Sequence, residues 1–455
     1  MSSVNELNLL RDYYNTGATR SYEFRRTILQ QLKSVILSHE EQIYEALKKD
    51  LNKSKEESWA SEIGMVITEI DYTLNHLKKW MQPQKVKTNL VNFPSSSRMI
   101  PEPMGVVLII SPWNYPLMLL LKPLVGAIAA GNCAVLKSSE HAPATTQLLK
   151  KMMDAFDKKF ILFTEGDGAQ IVPELMNNFV FDYVFFTGGP AVGKAVYQLA
   201  AKNLVPVTLE LGGKSPCVVM SDADIKVAAR RIVLAKFMNA GQICIAPDYI
   251  LVHHSVKVKL ITALKETIHQ FYTDRSEDAY EYGRIINARQ FDRIVQYLAD
   301  GKIIHGGKHD REKLFIEPTL LDEVHAESRL MKEEIFGPLL PVIGFEKEEE
   351  ALKIISQNPN PLAFYLFTNN EQSESYWMEK VSFGGGCINN AVWHITNQHL
   401  SFGGRGQSGF GRYQGKQSFD TFSHHKSVLK TPNWFDPSFK YPPFKGKLKF
   451  LKKFI

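Results

Sequence analysis

The sequence predicts an α/β fold whose sheets are largely parallel and covered by helices. Short apolar runs rich in β-branched residues recur along the chain, and stretches with helical periodicity lie between most of them. The composition, 44% hydrophobic and 22% charged, is that of a soluble globular protein, and 455 residues allow about three domains' worth of core. A disordered chain is thereby excluded. The glycines show no three-residue period, and the four cysteines, Cys133, Cys217, Cys244 and Cys387, form no CxxC pair. Collagen, disulfide-scaffold, zinc-ribbon and thioredoxin readings therefore fail, and a reducing compartment such as the cytoplasm is expected.

In chain order, residues 22–49 place Phe24, Ile28, Leu32, Ile36, Ile43 and Leu47 at helical spacing. A second amphipathic helix is expected over 57–80, carrying Trp59, Ile63, Val66, Ile70, Leu74 and Leu77. The pattern then changes: GVVLII at 105–110 reads as a buried strand, followed by a helix over 117–130. Pro112, Pro116, Lys122 and Pro123 interrupt this most apolar region, so it is not expected to span a membrane. Further strands are expected at 134–137, 183–186, 207–210 and 217–220, with a helix over 191–201. A second alternating set begins after Ser221, with a strand at 249–252 and a helix over 256–271. Segments 82–101 and 395–428 look extended and suited to pairing across the molecule or between subunits. The opening MSSVNELNLLRDYYN lacks the marks of a secretory signal.

Net charge is +6, and Lys440, Lys445, Lys447, Lys449, Lys452 and Lys453 account for the whole excess. A neutral body with a basic tail is a poor nucleic-acid binder. The tail interleaves Phe444, Leu448, Phe450, Leu451, Phe454 and Ile455 with its lysines. That mixture suits peripheral contact with an anionic membrane, or equally packing on a dimer.

Two patterns carry little. Gly404, Gly406 and Gly409 satisfy GxGxxG, but the surrounding FGGRGQSGFGRYQGK has loop composition. His305 and His309 have the spacing of helical zinc ligands, but Gly306 and Gly307 between them argue for a turn, so no metal is expected.

Four segments carry chemistry together. VTLELGGKSP at 207–216 sets Glu210 at a strand end, where burial raises a carboxyl's pKa and makes it a usable base. FMNAGQICIAP at 237–247 sets Cys244 after a small-residue turn. SPWNYP at 111–116 fixes Asn114, an amide able to donate to an oxyanion, between two prolines. EEIFGPLLPV at 333–342 puts Glu334 and Phe336 before a Gly-Pro turn.

Over residues 22–428 these segments resemble the aldehyde dehydrogenase superfamily, LELGGKSP and FMNAGQIC matching its glutamate and cysteine signatures without a gap. VLKSSEHAP, FFTGGPAVGK and GGRGQSGFGRYQGKQSFDTFSHHKSV extend the match, and KYPPF in the tail is similar to the class 3 branch. The resemblance implies a Rossmann-like NAD-binding domain (1–81 and 101–209), an α/β catalytic domain (210–394) and a small β oligomerisation extension (82–100 and 395–428). Residues 429–455 would form the basic amphipathic tail. It further implies oxidation of medium- or long-chain aliphatic or aromatic aldehydes, in a homodimer, with NAD and also NADP. Cys244 would be the nucleophile, Glu210 the base for thioester hydrolysis, and Asn114 an oxyanion donor worth about 3 kcal/mol. The intact glutamate favours hydrolysis over transfer to coenzyme A. Lys137, Glu140, Gly188, Leu211, Glu334 and Phe336 would contact the cofactor, with Gly189 replacing a polar side chain common among relatives. Trp113, Tyr115, Trp393 and His394 are candidates for the substrate funnel, or for packing around its loop.

Overall fold

In the computed structural model, which describes residues 4–273 and 276–454, helices flank two larger sheets. The first has six strands in the order Gly409–Phe410, Val207–Leu211, Tyr183–Gly188, Val106–Ile110, Cys133–Lys137 and Ile161–Thr164. All pair in parallel except Gly409–Phe410, which runs antiparallel to Val207–Leu211. Val106–Ile110 is buried at every position, as expected of a strand covered on both faces. From it the chain adds strands on one side, then crosses back to start Tyr183–Gly188 on the other. Strand order therefore reverses between these two neighbours, and ligands in such sheets lie at the carboxyl ends beside that switch.

The second sheet runs Lys302–His305, Thr319–Asp322, Leu339–Phe345, Tyr249–His253, Pro216–Val219, Ala363–Phe367 and Gly385–Ile388. Its pairs are parallel apart from the first. A separate antiparallel sheet joins Gln84–Val86, Ser96–Pro103 and Ser423–Lys430. Ser96–Pro103 is its middle strand yet contains Pro101 and Pro103. Gln84–Val86 pairs only with 97–99, so the prolines lie where no ladder bond is required of them on that side.

Several elements differ from the sequence expectation. The run 22–49 is two helices, Tyr22–Ser38 and Glu40–Leu51, broken at His39, whose backbone leaves helical geometry. The helix over 57–80 is three pieces, a first turn Lys55–Ser58, a wider turn Trp59–Ile63 and then Gly64–Trp80. Segment 395–428 is divided: Gly409–Phe410 joins the first sheet, Lys416–Thr421 is a helix, and Ser423–Lys430 joins the separate sheet. Of the GxGxxG glycines, Gly409 packs against Val207–Leu211, while Gly404 packs on Ser408 and Gly406 faces Asn360. A Cβ on Gly409 would sit 1.8 Å from the Leu209 carbonyl oxygen. His305 and His309 lie on separate strands, and no metal-binding group of side chains occurs among the described residues.

Among the described residues no helix is long and apolar enough to cross a membrane. The tail ends in a short helix, Leu448–Phe454, with Phe444 and Leu448 exposed. The side chains of Phe450, Lys453 and Phe454, and all of Ile455, lie outside the described residues.

Candidate active site

A crevice of about 890 Å³ opens at the strand-order switch. Lys137, Glu140, Gly188, Leu211, Glu334 and Phe336 all line it, with Asn114, Glu210 and Cys244 at its inner end. A second cavity of about 670 Å³ approaches the same point from the other side, walled by Tyr115, Met118, Ile243, Trp393 and Phe402 among others. The two share Leu119, Thr187, Glu210, Leu211 and Cys244. The thiol and the carboxyl therefore stand where a polar-rimmed crevice meets an apolar cavity.

The turn before Cys244 is unusual backbone. After the helix Ile225–Phe237, Asn239 (φ 50°), Ala240 (φ 51°) and Gly241 (φ 75°) are all left-handed. Two consecutive non-glycine residues in that region store strain, which the surroundings must hold. Gln242 supplies that hold: its amide donates to the carbonyls of Asn239 and Arg284, each at 2.9 Å, and its oxygen accepts from Ile286 N at 3.0 Å. At Gly241 a Cβ would meet the Gly337 carbonyl oxygen at 2.3 Å, so the turn packs directly on the loop after Glu334.

Asn114 is buried and donates from Nδ2 to the Gln242 carbonyl at 3.0 Å, leaving its second amide hydrogen for another acceptor. Its own carbonyl accepts from Asn239 Nδ2 at 2.9 Å and Lys53 Nζ at 3.1 Å. Lys53 is paired with Glu62 at 2.7 Å, both side chains fully buried, and lies 3.8 Å above the Tyr115 ring. Glu62 in turn accepts from the backbone amides of Leu117 and Met118, each at 3.0 Å. Lys53 and Glu62 come from the amino-terminal region, in a loop and a helical turn, and carried no motif.

Burial pushes the Glu210 carboxyl well above its ordinary range, only partly opposed by Arg412. Neither Glu210 oxygen has a hydrogen-bond partner among the described residues, although the residue lines both cavities. Burial also pushes up the Cys244 thiol, followed by the charges of Glu334 and Glu210. The backbone N–H groups of Cys244 and Ile245 act the other way by bonding the sulfur. Deprotonating this thiol therefore needs a nearby base. Glu334 is raised to about 8, by burial first and then Asp248. A Cβ on Gly212 would lie 2.0 Å from Glu334 Oε2, so only glycine admits that carboxyl here.

At the outer end of the crevice Glu140 stays ionised. Burial raises it, but backbone N–H groups, including that of Gly168, and the Lys137 ammonium outweigh this. The crevice also reaches Gly189, Ala191 and Val192, at the start of the helix Pro190–Ala201, where backbone amides favour phosphate. Acidic Glu140, this helix start and the aromatic Phe336 fit a dinucleotide extended along the crevice.

The four funnel candidates divide. Tyr115 and Trp393 line the apolar cavity. Trp113 instead lines the crevice and meets Phe336 edge-on at 5.3 Å. His394 turns inward, with Nδ1 3.6 Å from Cys387 Sγ and its ring stacked on Phe402, and does not line the cavity. Burial lowers it to about 4. Sequence reasoning missed Glu57, Met118, Ile243, Tyr272 and Phe402, none of which stood in a motif that identified the cavity.

The arrangement offers a nucleophilic sulfur, amide donors beside it, a buried base and a dinucleotide-shaped crevice. A model described as the aldehyde dehydrogenase family matches residues 11–428. The 4,4'-diaponeurosporen-aldehyde dehydrogenase of Staphylococcus aureus (strain NCTC 8325 / PS 47) is 46% identical over 446 residues, spanning 97% of each chain. Aldehyde dehydrogenase family 3 member H1 of Arabidopsis thaliana is 43% identical over 453 residues, 98% of this chain and 93% of that one. A solved structure titled as the substrate-bound state of Staphylococcus aureus AldH superposes with a TM-score of 0.97, at 45% identity and full coverage of both chains.

Proposed function

The chain belongs to the aldehyde dehydrogenase family, and from that premise we propose hydrolytic oxidation of apolar medium- or long-chain aliphatic, or aromatic, aldehydes with NAD. The observation that carries this reading is the meeting of crevice and apolar cavity at Cys244 and Glu210. An aldehyde in the cavity presents its carbonyl carbon to the Cys244 sulfur, which passes its proton to water in the crevice, adds to the carbon and leaves a tetrahedral oxyanion. The free Asn114 amide hydrogen and the Cys244 backbone N–H stabilise that oxyanion. A dinucleotide held by Lys137, Glu140, Glu334 and Phe336 would supply a hydride acceptor, and loss of hydride would leave the Cys244 adduct as a thioester. Glu210 then takes a proton from the water that attacks the thioester, and the carboxylic acid leaves with the sulfur restored.

The test follows reduced nicotinamide by absorbance, with and without coenzyme A, using aldehydes of increasing chain length. Turnover without coenzyme A that improves with length is expected. Turnover only with coenzyme A would replace hydrolysis with acyl transfer.

NAD is favoured over NADP because the ionised Glu140 repels a 2′-phosphate while accepting ribose hydroxyls. Replacing Glu140 with Gln is expected to shift the NADP/NAD ratio of kcat/KM towards NADP about tenfold. An unchanged ratio would remove Glu140 from cofactor choice.

The tail reading also stands as a proposal: its lysines and exposed Phe444 and Leu448 suit an anionic bilayer surface. Deleting 440–455 is expected to lower co-sedimentation with phosphatidylserine vesicles about tenfold at low salt. Equal sedimentation would leave dimer packing as the tail's role, read by the mass of the particle with and without it.

A further inference from the structure

Cys244 and Ile245 form the middle of a turn that Ala246 N closes by donating to the Ile243 carbonyl at 3.0 Å. Gln242 holds this turn from the residue before it, and Tyr365 holds it from the residue after. Tyr365 lies in Ala363–Phe367, an inner strand of the second sheet, and is fully buried. Its hydroxyl donates to the Ile245 carbonyl at 2.6 Å. The Val392 backbone N–H bonds the same oxygen.

Val392 needs such a partner. It is β-branched, yet its backbone stands at φ 58° and ψ −27°, a left-handed conformation that is costly for that side chain. Trp393 N closes a three-residue turn around it by donating to the Ala391 carbonyl at 2.8 Å. Val392, Trp393, Ile395 and Thr396 all line the apolar cavity, so this strained turn sets where one wall of it stands. Tyr365 itself lines neither the cavity nor the crevice. We infer that Tyr365 is a positioning residue, its one hydroxyl fixing the cavity wall at Val392 and Trp393 relative to the Cys244 sulfur. This rests on the reading of the cavity as the aldehyde site.

A tyrosine hydroxyl has one hydrogen to give and can also accept, and here both capacities are taken. Ile245 and Val392 are buried, so neither backbone group would find water in place of the hydroxyl. The Ile245 N–H is one of the two amides that bond the sulfur, and it shares a Cα with the carbonyl that Tyr365 holds. Releasing the carbonyl therefore lets that amide turn away from the sulfur. Releasing Val392 lets its turn relax and carry Trp393 with it. A long substrate chain lies against more of that wall than a short one, so its carbonyl carbon depends more on the wall's position.

Tyr365→Phe removes one oxygen and keeps the ring in the core, so the protein should fold, as read by thermal melting and by NADH binding in fluorescence. Two readouts then separate positioning from packing. Alkylation of Cys244 by iodoacetamide, without aldehyde or cofactor, is followed on the Cys244 peptide so that Cys387 does not interfere. Its pH midpoint should rise by about half a unit, because the thiolate loses an amide while Glu210 and Glu334, the charged groups acting on it, stay in place. For saturated aldehydes of about two to twelve carbons, the long/short ratio of kcat/KM should fall about fivefold.

A variant that melts lower but keeps both the midpoint and the ratio overturns the inference and leaves Tyr365 as core packing. A change in only one readout also overturns it, since the hydroxyl would then support the Cys244 turn or the cavity wall but not join them. Should the variant not fold, the wild type decides. Its Val392 amide should exchange with deuterium as slowly as inner-strand amides, and exchange at the rate of exposed loops would overturn the joint. Oxidation of no aldehyde by the wild type defeats the underlying reading, and the role of Tyr365 in it.

Discussion

Replacing Cys244 with serine is expected to lower kcat/KM for every aldehyde by at least about 10³-fold while leaving the protein folded. The two side chains differ by one atom of similar size, so packing at the junction changes little. Reactivity changes greatly. The thiol is already pushed up by burial and by the Glu334 and Glu210 charges, and a serine hydroxyl at the same place is harder still to ionise. Without the covalent adduct no oxyanion forms, and an aldehyde carbon is a poor hydride donor. Absorbance of reduced nicotinamide reads the loss, and thermal melting shows that the fold persists. Mass spectrometry of wild-type enzyme quenched during turnover should show an acyl adduct that the serine variant lacks. A serine variant with native turnover would exclude Cys244 as the nucleophile.

Much of this site was legible in the sequence because its parts come from continuous runs. Glu210, Cys244 and Asn114 each follow an element with a strong local pattern, and the structure brings them to one junction. The six expected cofactor residues likewise line one crevice, since each ends or follows a strand or sits in the Glu334 loop. What the sequence left hidden is side-chain direction in loops. Trp113 and Tyr115 flank Asn114, yet one faces the crevice and the other the apolar cavity. Trp393 and His394 are adjacent, yet only the first lines the cavity. No periodicity governs a loop, so the turn's contacts decide which way each ring points.

The supports were hidden for a different reason. Glu57 and Glu62 belong to amino-terminal helical turns and Lys53 to the loop before them, all far along the chain from the residues they hold. Lys53 reaches the Asn114 carbonyl and Glu57 bonds the Asn239 amide. In the sequence Glu57 and Glu62 read as ordinary polar positions of an amphipathic helix, and Lys53 falls between two expected helices. The break at His39 was hidden too, because the apolar spacing continues across it while the helix axis changes.

Glu210→Gln should separate the two halves of the reaction. The amide keeps the shape of the carboxyl but cannot take a proton from water. The first turnover should still form reduced nicotinamide, so a burst close to one equivalent per active site is expected. The following steady state should fall by about 10²- to 10⁴-fold, with acyl-enzyme accumulating on Cys244. The pH dependence follows from the raised Glu210 pKa. Only the carboxylate is a base, and raising the pKa moves its formation to higher pH. Wild-type deacylation should therefore climb at higher pH than an ordinary carboxylate would give, and the glutamine variant should lose that climb. Glu334, raised to about 8, is the nearest rival because it also acts on the Cys244 thiol. A Glu334→Gln variant should weaken cofactor binding and keep the deacylation limb. Were the assignments reversed, Glu210→Gln would keep full steady-state turnover, and Glu334→Gln would be the variant that stalls as acyl-enzyme. If Glu210 serves mainly to ionise Cys244, its glutamine variant would show a slow burst with no acyl-enzyme build-up. Burst amplitude, burst rate and steady state, measured in one stopped-flow trace, distinguish the three.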